Sequence, residues 1–362
     1  MKRIFFIIPT LTQGGAERVI ITLLKFLDKS KFKATIMVVD MREEVYSEEI
    51  PEEVNIIDLK CKRVRTAIPK IIINLWRHKP HIVMSTLGHL NLAIAITRLF
   101  MPRSIKFIAR ETIVVSEKIR RGKFPLLWKF LHKKFYPSFN KIICQSDDMK
   151  KDLSNILGSG KNLVLINNPV DFERIKNLSI LHDHSIKKYY EDNSYTYLIA
   201  AGRLIKQKGF EMLIEAIALT NNSKIKLAIL GHGPLEENLT ELIEKYKLQE
   251  TVSLLGYKKN PYAWISKANA FILSSYYEGF PNVVLEALSC RTPVISTPAP
   301  GGTKEILESI EGCYLSKDIS ALSLKEAISD FTNSTYQQIN ENTIEPYKPE
   351  EICKKYMHAF LN

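Results

Sequence analysis

Short apolar runs that end in glycine or a polar turn, each leading into a helical stripe, recur along the chain, and this rhythm leaves few folds open. In the first half the runs are Ile4–Ile8, Ala34–Val39, Asn55–Leu59, Ile82–Met84, Lys106–Ala109, Lys141–Cys144 and Leu163–Ile166. Runs this short, bounded by Gly and Pro, suit strands buried on both faces. The first is followed by Val19, Ile20, Leu23, Leu24 and Leu27, which fall on one helical face. Asn167-Asn168-Pro169-Val170-Asp171 then breaks the pattern with turn-forming residues. The rhythm restarts with Tyr197–Ala201, Lys226–Leu230, Val252–Leu255, Ala270–Leu273 and Pro293–Ser296. Strand and helix in alternation make a parallel sheet covered on both faces. At 362 residues the chain exceeds one ordinary core. The expectation is therefore α/β, with two Rossmann-like domains spanning residues 1–168 and 169–344. The Asn/Thr/Gln-rich stretch 332–343 reads as a surface loop.

Several classes drop out on composition. Hydrophobic residues make up 45%, ordinary for a folded globular chain. Cys61, Cys144, Cys290, Cys313 and Cys353 form no C-x-x-C, and their odd number fits a reducing cytosol with no metal site. The opening MKRIFFIIPTL is basic and then apolar, but Pro9 and the glycines beyond it mark a first strand rather than a signal peptide. Nowhere do roughly 18 apolar residues run together, as a membrane-spanning helix requires. Charge is lopsided: residues 1–170 hold 30 Lys and Arg against 15 Asp and Glu. The remainder holds 21 against 24. An excess of this size in one half implies an anionic partner there: nucleic acid, anionic lipid or a phosphorylated acceptor.

Glycines stand where the strands end. Gly14-Gly15-Ala16-Glu17 follows the first strand, without the G-x-G-x-x-G dinucleotide fingerprint. Two readings stand for it: close approach of the backbone to a diphosphate, or glycine required only for packing. Gly202-Arg203 to Lys208-Gly209, Gly231-His232-Gly233 and Gly256-Tyr257 follow three successive strands of the second half. Open α/β sheets bind ligands at these carboxyl ends. The stretch Ser274–Thr303 reads strand, loop, helix, strand, with Glu278 on the loop and Glu286 a turn inside the helix. Gly279 and Pro281 keep the chain out of helix until Asn282, after which Val283, Val284, Ala287 and Leu288 form an apolar stripe. Backbone N–H groups at that helix start suit an anion.

The phrase E-G-F-P-N-V-V-L-E-A (Glu278, Gly279, Phe280, Pro281, Asn282, Val283 through Glu286), with P-V-I-S-T and Gly301-Gly302-x-x-Glu305-Ile306 after it, resembles the signature of retaining GT-B-type glycosyltransferases. That group includes sucrose synthase and many bacterial polysaccharide-building enzymes. The resemblance implies two Rossmann-like domains facing across a cleft, with a terminal helix (Glu350–Leu361, in 345–362) crossing back to the first domain. It implies that Glu286 binds the nucleotide ribose, that Glu278 faces the donor sugar, and that Arg203 and Lys208 contact the diphosphate. Those cations would stabilise the leaving diphosphate in place of a divalent metal, and no D-x-D motif is present. Gly14 and Gly15 would lie near the donor phosphates or the acceptor, and Gly231, Gly256 and Tyr257 on the donor side. Two glutamates on one side of a donor do not resemble a glycosidase pair, so front-face substitution is expected.

The first half departs from better-known members, many of which carry a histidine after the strand matching Lys106–Ala109. Here the letters are Arg110-Glu111-Thr112, so Arg110, Glu111 or the nearby His89 takes that place. Lys60–Lys79 and Lys118–Lys141 mix bases with Trp, Phe, Tyr and Leu. They suit contact with an anionic membrane surface or, alternatively, amphipathic helices packed on the sheet with basic outer faces. The expectation is a retaining, metal-independent hexosyltransferase with no cofactor, cytoplasmic and peripheral at the inner membrane face. It would move an N-acetylhexosamine or hexose from a nucleotide sugar, UDP rather than GDP, to a lipid-linked saccharide in surface polysaccharide, O-antigen or glycan assembly. A nucleotide-sugar 2-epimerase of the same fold is the rival enzyme. A basic nucleic-acid-binding protein is the rival of another class, with no recognised motif in its favour.

Overall fold

The computed structural model describes the chain except residues 13, 43–45, 182–183 and 336–338. The chain divides into two compact units, Met1–Val170 with Tyr347–Asn362, and Asp171–Pro346. Unit 1 holds β1 (Lys2–Thr10), β2 (Phe32–Asp40), β3 (Asn55–Asp58), β4 (Ile82–Thr86), β5 (Lys106–Arg110), β6 (Lys141–Cys144) and β7 (Leu163–Leu165). Unit 2 holds β8 (Thr196–Ala201), β9 (Ile225–Leu230), β10 (Val252–Gly256), β11 (Ala270–Leu273), β12 (Val294–Ser296) and β13 (Tyr314–Leu315). The sheet orders are β3-β2-β1-β4-β5-β6-β7 and β10-β9-β8-β11-β12-β13, with parallel pairing throughout. Both orders are Rossmann-like: the first strand of each unit is central, and the winding reverses beside it.

Period-two alternation in β1 shows why the strands are apolar throughout. Ile4, Phe6 and Ile8 enter one core with Val19, Ile20, Leu23 and the C-terminal helix residues Ile352, Tyr356 and Phe360. Phe5 and Ile7 enter the opposite core with Ala67, Ile71 and Leu75. A strand buried on both faces has no polar side to show. The C-terminal helix, Pro349–Leu361, is thus part of unit 1. The Phe360 ring meets those of Phe6 and Phe32 at 6.1 and 5.9 Å, and Lys106 Nζ donates to the carbonyls of Ala359 and Phe360 at the helix end.

The structure departs from the sequence reading in four places. The two-residue β13 is too short to show as an apolar run. The basic stretch 118–141 is not one helix: Val115–Arg120 and Pro125–Phe135 are separate, broken at Gly122–Phe124, with Phe124 left-handed at φ 61° and Pro125 starting the second. The expected loop 332–343 lies partly outside the described residues. Its flanks belong to the helix Ala321–Asn333 and the 3-10 turn Glu341–Tyr347, and Ile339 between them is buried. In the helix Asn282–Ser289 the buried stripe takes Leu285 in place of Val283.

Candidate active site

In unit 2, β8 and β11 are neighbours, paired Ala270 to Leu198, while the remaining strands lie outward on either side. This is the reversal point whose carboxyl edge forms a crevice in doubly wound sheets. The loops leaving the two strands touch through backbone. Gly209 is left-handed (φ 63°), and a Cβ there would lie 2.2 Å from Ser274 O, so only glycine allows the approach. Ser274 Oγ donates to Lys208 O at 2.8 Å, Tyr276 N to Gln207 O at 2.8 Å, and Gln207 Nε2 to Tyr277 O at 3.0 Å. These ties fix the 3-10 turn Lys206–Lys208 against the β11 loop.

Lys208 Nζ then donates to Glu278 Oε1 at 2.6 Å, and Ser275 Oγ donates to the same oxygen at 2.5 Å. Glu278 is 6% exposed, a depth at which a carboxylate needs such partners. The turn after β12 braces it from a third side. Glu278 N donates to Pro300 O at 2.9 Å and Gly302 N to Gly279 O at 2.8 Å, and a Cβ on Gly301 (φ 120°) would meet Glu278 O at 2.6 Å. Loops from three strand ends therefore fix Glu278, two of them through its carboxylate and the third through its backbone.

The other expected donor-side residues surround this pair in sequence and sheet order. Phe280, Pro281 and Asn282 are buried at the helix start, and Val283 and Glu286, one turn apart, share its half-buried face. Arg203 is exposed on the β8 loop. Gly231 N donates to Gly256 O at 2.9 Å, and a Cβ on Gly231 would lie 1.9 Å from Gly202 O, so the turns after β8, β9 and β10 form one backbone layer. Tyr257 projects beyond it, 41% exposed.

Gly14, Gly15, His89, Arg110 and Glu111 belong to unit 1. Gly14 precedes the helix Gly15–Phe26, and a Cβ there would lie 2.1 Å from Glu17 Oε2. The Glu17 carboxylate folds back over the helix start, taking a 3.3 Å bond from Thr10 Oγ1, and would have to swing aside for a side chain at 14. Burial raises Glu17 above its ordinary value, against the opposing pull of its own N–H, Thr10 and Arg110.

The Arg110 guanidinium is buried and donates to Tyr356 Oη, Thr86 Oγ1 and Asn168 Oδ1 at 3.1, 3.1 and 2.5 Å. It ties β5 to β4, the end of the first segment and the C-terminal helix. Glu111 beside it is also buried, with Oε1 accepting from Asn91 Nδ2 at 2.8 Å and Tyr136 Oη at 2.5 Å. Burial and the Glu111 charge push the Tyr136 phenol well above its usual range, so it stays a donor. Exposed His89 is lowered by desolvation and by Lys118, and is neutral near pH 7. Among the described residues, no three His, Cys, Asp or Glu side chains gather as a metal-binding group.

Two family models match the chain: Glycosyltransferase Family 4 over residues 13–174 and Glycosyl transferases group 1 over 183–345. An uncharacterized glycosyltransferase of Methanocaldococcus jannaschii is 33% identical over 249 residues, 66% of this chain and 60% of that protein. The N-acetylgalactosamine-N,N'-diacetylbacillosaminyl-diphospho-undecaprenol 4-alpha-N-acetylgalactosaminyltransferase of Campylobacter jejuni is 29% identical over 321 residues, covering 84% of this chain and 83% of that one. Among solved structures, Anabaena HepE in complex with UDP and glucose superposes with TM-score 0.80 over the whole of both chains at 16% identity, a likeness of fold. With matches over both units and the two-Rossmann architecture, the chain belongs to the group 1 glycosyltransferases, enzymes that transfer sugars.

Proposed function

We propose that unit 2 binds a UDP-sugar at the reversal point of its sheet and that unit 1 binds a lipid-linked saccharide as acceptor, in the assembly of a surface polysaccharide or glycan. The observation that carries this reading is the Lys208–Glu278 pair, held at 2.6 Å by three converging loops. An ammonium has three N–H donors, so Lys208 can hold Glu278 and still meet a diphosphate oxygen. Arg203, on the same loop, adds a second cation for the leaving nucleoside diphosphate, and the pair takes the place of a divalent metal. Both donors to Glu278 use Oε1, which leaves Oε2 to orient the donor sugar. Glu286 and the start of its helix take the ribose and phosphates. The leaving phosphate oxygen receives the acceptor proton as the new bond forms on the face the diphosphate leaves, so configuration is retained.

The acceptor class is supported by the Campylobacter jejuni relative, whose name describes a diphospho-undecaprenol-linked substrate. It is supported also by exposed apolar residues of unit 1, where Leu126, Leu127, Trp128 and Phe130 stand among Lys123, Lys129, Lys133 and Lys134. A second group, Ile73, Trp76, Leu99 and Phe100, is joined by a 2.9 Å bond from Trp76 Nε1 to Phe100 O. Leu99 and Phe100 were missed in the sequence because they lie outside the basic stretches. Aromatics and cations presented together suit an anionic bilayer face, at the inner surface of the membrane.

The test titrates the protein with a panel of UDP- and GDP-sugars by calorimetry. The best donor is then incubated alone and with a polyprenyl-diphosphate saccharide. Binding of a UDP-sugar and transfer with retained anomeric configuration are expected; conversion of donor without acceptor, or no binding of any nucleotide sugar, overturns the reading.

A further inference from the structure

Unit 1 holds a partly open cavity of about 430 Å³, the size of a small-molecule site, lined in part by the helices Val115–Arg120 and Pro125–Phe135. Its two ends differ in chemistry. One end lies at Gly88 and Glu111, just past β4 and β5, at the carboxyl edge of the sheet. A Cβ on Gly88 would sit 3.0 Å from Glu111 Oε2 and 3.7 Å from Lys118 Nζ, so glycine leaves this polar corner open. Leu92, Val115, Ile119, Phe124 and Trp128 make the apolar part of the lining, with His89, His132, Lys118 and Lys123 as its other polar members.

Phe124 and Trp128, 71% and 40% exposed, join the cavity to the outward apolar surface carried by Leu126, Leu127 and Phe130. Phe124 holds a left-handed backbone that costs a non-glycine residue free energy, a kind of strain that collects at ligand clamps. Lys118 and Lys123 supply cations to the lining. A saccharide would leave most of its hydroxyls without partners on such walls, whereas a hydrocarbon chain needs none. The ligand that matches is an amphiphile with an anionic head near Lys118 and a chain running out toward the exposed apolar side.

We propose that this cavity takes the first isoprenoid units of a polyprenyl diphosphate, the lipid end of the acceptor, with the diphosphate at Lys118 and Lys123 and the chain between Ile119, Phe124 and Trp128. The inference rests on the lipid-linked acceptor reading and adds where the lipid is gripped. Its orientation directs the attached saccharide toward the sheet's carboxyl edge, where Glu111 and His89 stand.

The test is calorimetric titration of the full chain, with the donor site first saturated with UDP, using farnesyl diphosphate, inorganic diphosphate and monomeric dihexanoyl phosphatidylglycerol. Farnesyl diphosphate is expected to bind at least about tenfold more tightly than either of the others. Ile119→Phe, which fills the cavity, should weaken it by about tenfold with an unchanged Tm; Val115→Phe is the second filling variant should the first fail to fold. Equal affinity for inorganic diphosphate would show cations acting alone. Equal affinity for the phospholipid would show a bilayer-lipid site, and undiminished binding in a folded filled variant a different location; any of the three overturns the proposal. Loss of the broader reading looks different, since farnesyl diphosphate would still bind while no lipid-linked saccharide received sugar.

Discussion

Lys208 and Glu278, 70 residues apart, meet at 2.6 Å across the ends of β8 and β11, and the contact depends on Gly209 lying against the Ser274 carbonyl. The first consequence concerns the cation. Lys208→Ala removes a donor from a buried carboxylate that keeps only Ser275 and its backbone ties. Because the Lys208 side chain is 20% exposed and Ser275 remains, the cost is placed below that of a wholly buried pair, at about 1–3 kcal/mol. Affinity for UDP should fall by about tenfold or more, the loss of one charge-assisted contact to phosphate. Calorimetry with UDP and urea unfolding measure the two effects separately, and unchanged UDP affinity would refute the phosphate role.

Glu278 is expected to separate binding from chemistry. Glu278→Gln keeps the shape and an acceptor oxygen for Lys208 and Ser275 but removes the charge that orients the sugar. Turnover should drop by about 100-fold or more while UDP affinity changes by no more than about threefold, the pattern of an interaction made chiefly in the transition state. A parallel fall in both would assign Glu278 to donor binding instead.

Much of the fold could be read from the letters, because a strand buried on both faces must be apolar at every position, as Ile4 to Ile8 are. The site was readable to a lesser depth. Glu278 and Lys208 each sit in a recognisable local phrase, yet their pairing is a product of β8 lying beside β11, and strand order is not written in any one segment. Arg110 shows the limit more sharply. Its partners lie 24, 58 and 246 residues away, so its role as a buried tie could not be read from its own segment. Conversely, the break at Gly122–Phe124 was written locally as G-K-F-P, and a reading by charge and aromatic content alone passed over it.

The close approach at Gly209 gives a stability prediction. Gly209→Ala adds a Cβ 2.2 Å from a backbone oxygen and demands a left-handed conformation of a non-glycine residue. Neither loop can yield without breaking the bonds from Ser274 and Gln207, so a loss of about 2–4 kcal/mol is expected, above the usual range for surface changes. Urea unfolding should show it, together with weakened UDP binding, since Lys208 moves with the loop. Gly158→Ala is the control for conformation without contact. Gly158 is also left-handed (φ 74°) with nothing within 4 Å of its added Cβ, so only about 1 kcal/mol should be lost.

Glu17 sets a pH dependence in unit 1. Its carboxyl is raised above 4.5 chiefly by burial, so the folded chain binds this proton more tightly than the unfolded chain. Stability from this group is therefore present at low pH and is lost as pH rises through the folded value, the reverse of a salt-bridged carboxylate. Glu17→Gln removes the ionisation while keeping an oxygen for Thr10. The stability of wild type relative to Glu17→Gln should fall from pH 4.5 upward and level off once Glu17 is ionised. Thermal unfolding in matched buffers measures this, and parallel curves for the two proteins would show that Glu17 does not titrate differently on folding.

Membrane contact should need both the apolar and the cationic parts of unit 1. Leu126 and Phe130 are 83% and 57% exposed, so replacing both with serine removes little from the fold. Each buries up to about 1.5–3 kcal/mol of transfer free energy when it enters an apolar phase. Each nearby lysine adds about 1 kcal/mol at an anionic surface. Co-sedimentation with phosphatidylglycerol vesicles at low salt should retain the wild type, release the Leu126→Ser/Phe130→Ser variant, and weaken for both as salt is raised, because exposed charges are screened. Apolar insertion survives salt, so some wild-type binding should persist at about 0.5 M salt where the variant shows none. Binding that vanishes equally for both proteins under those conditions would reduce the contact to charge alone and leave the exposed leucine and phenylalanine side chains to another partner.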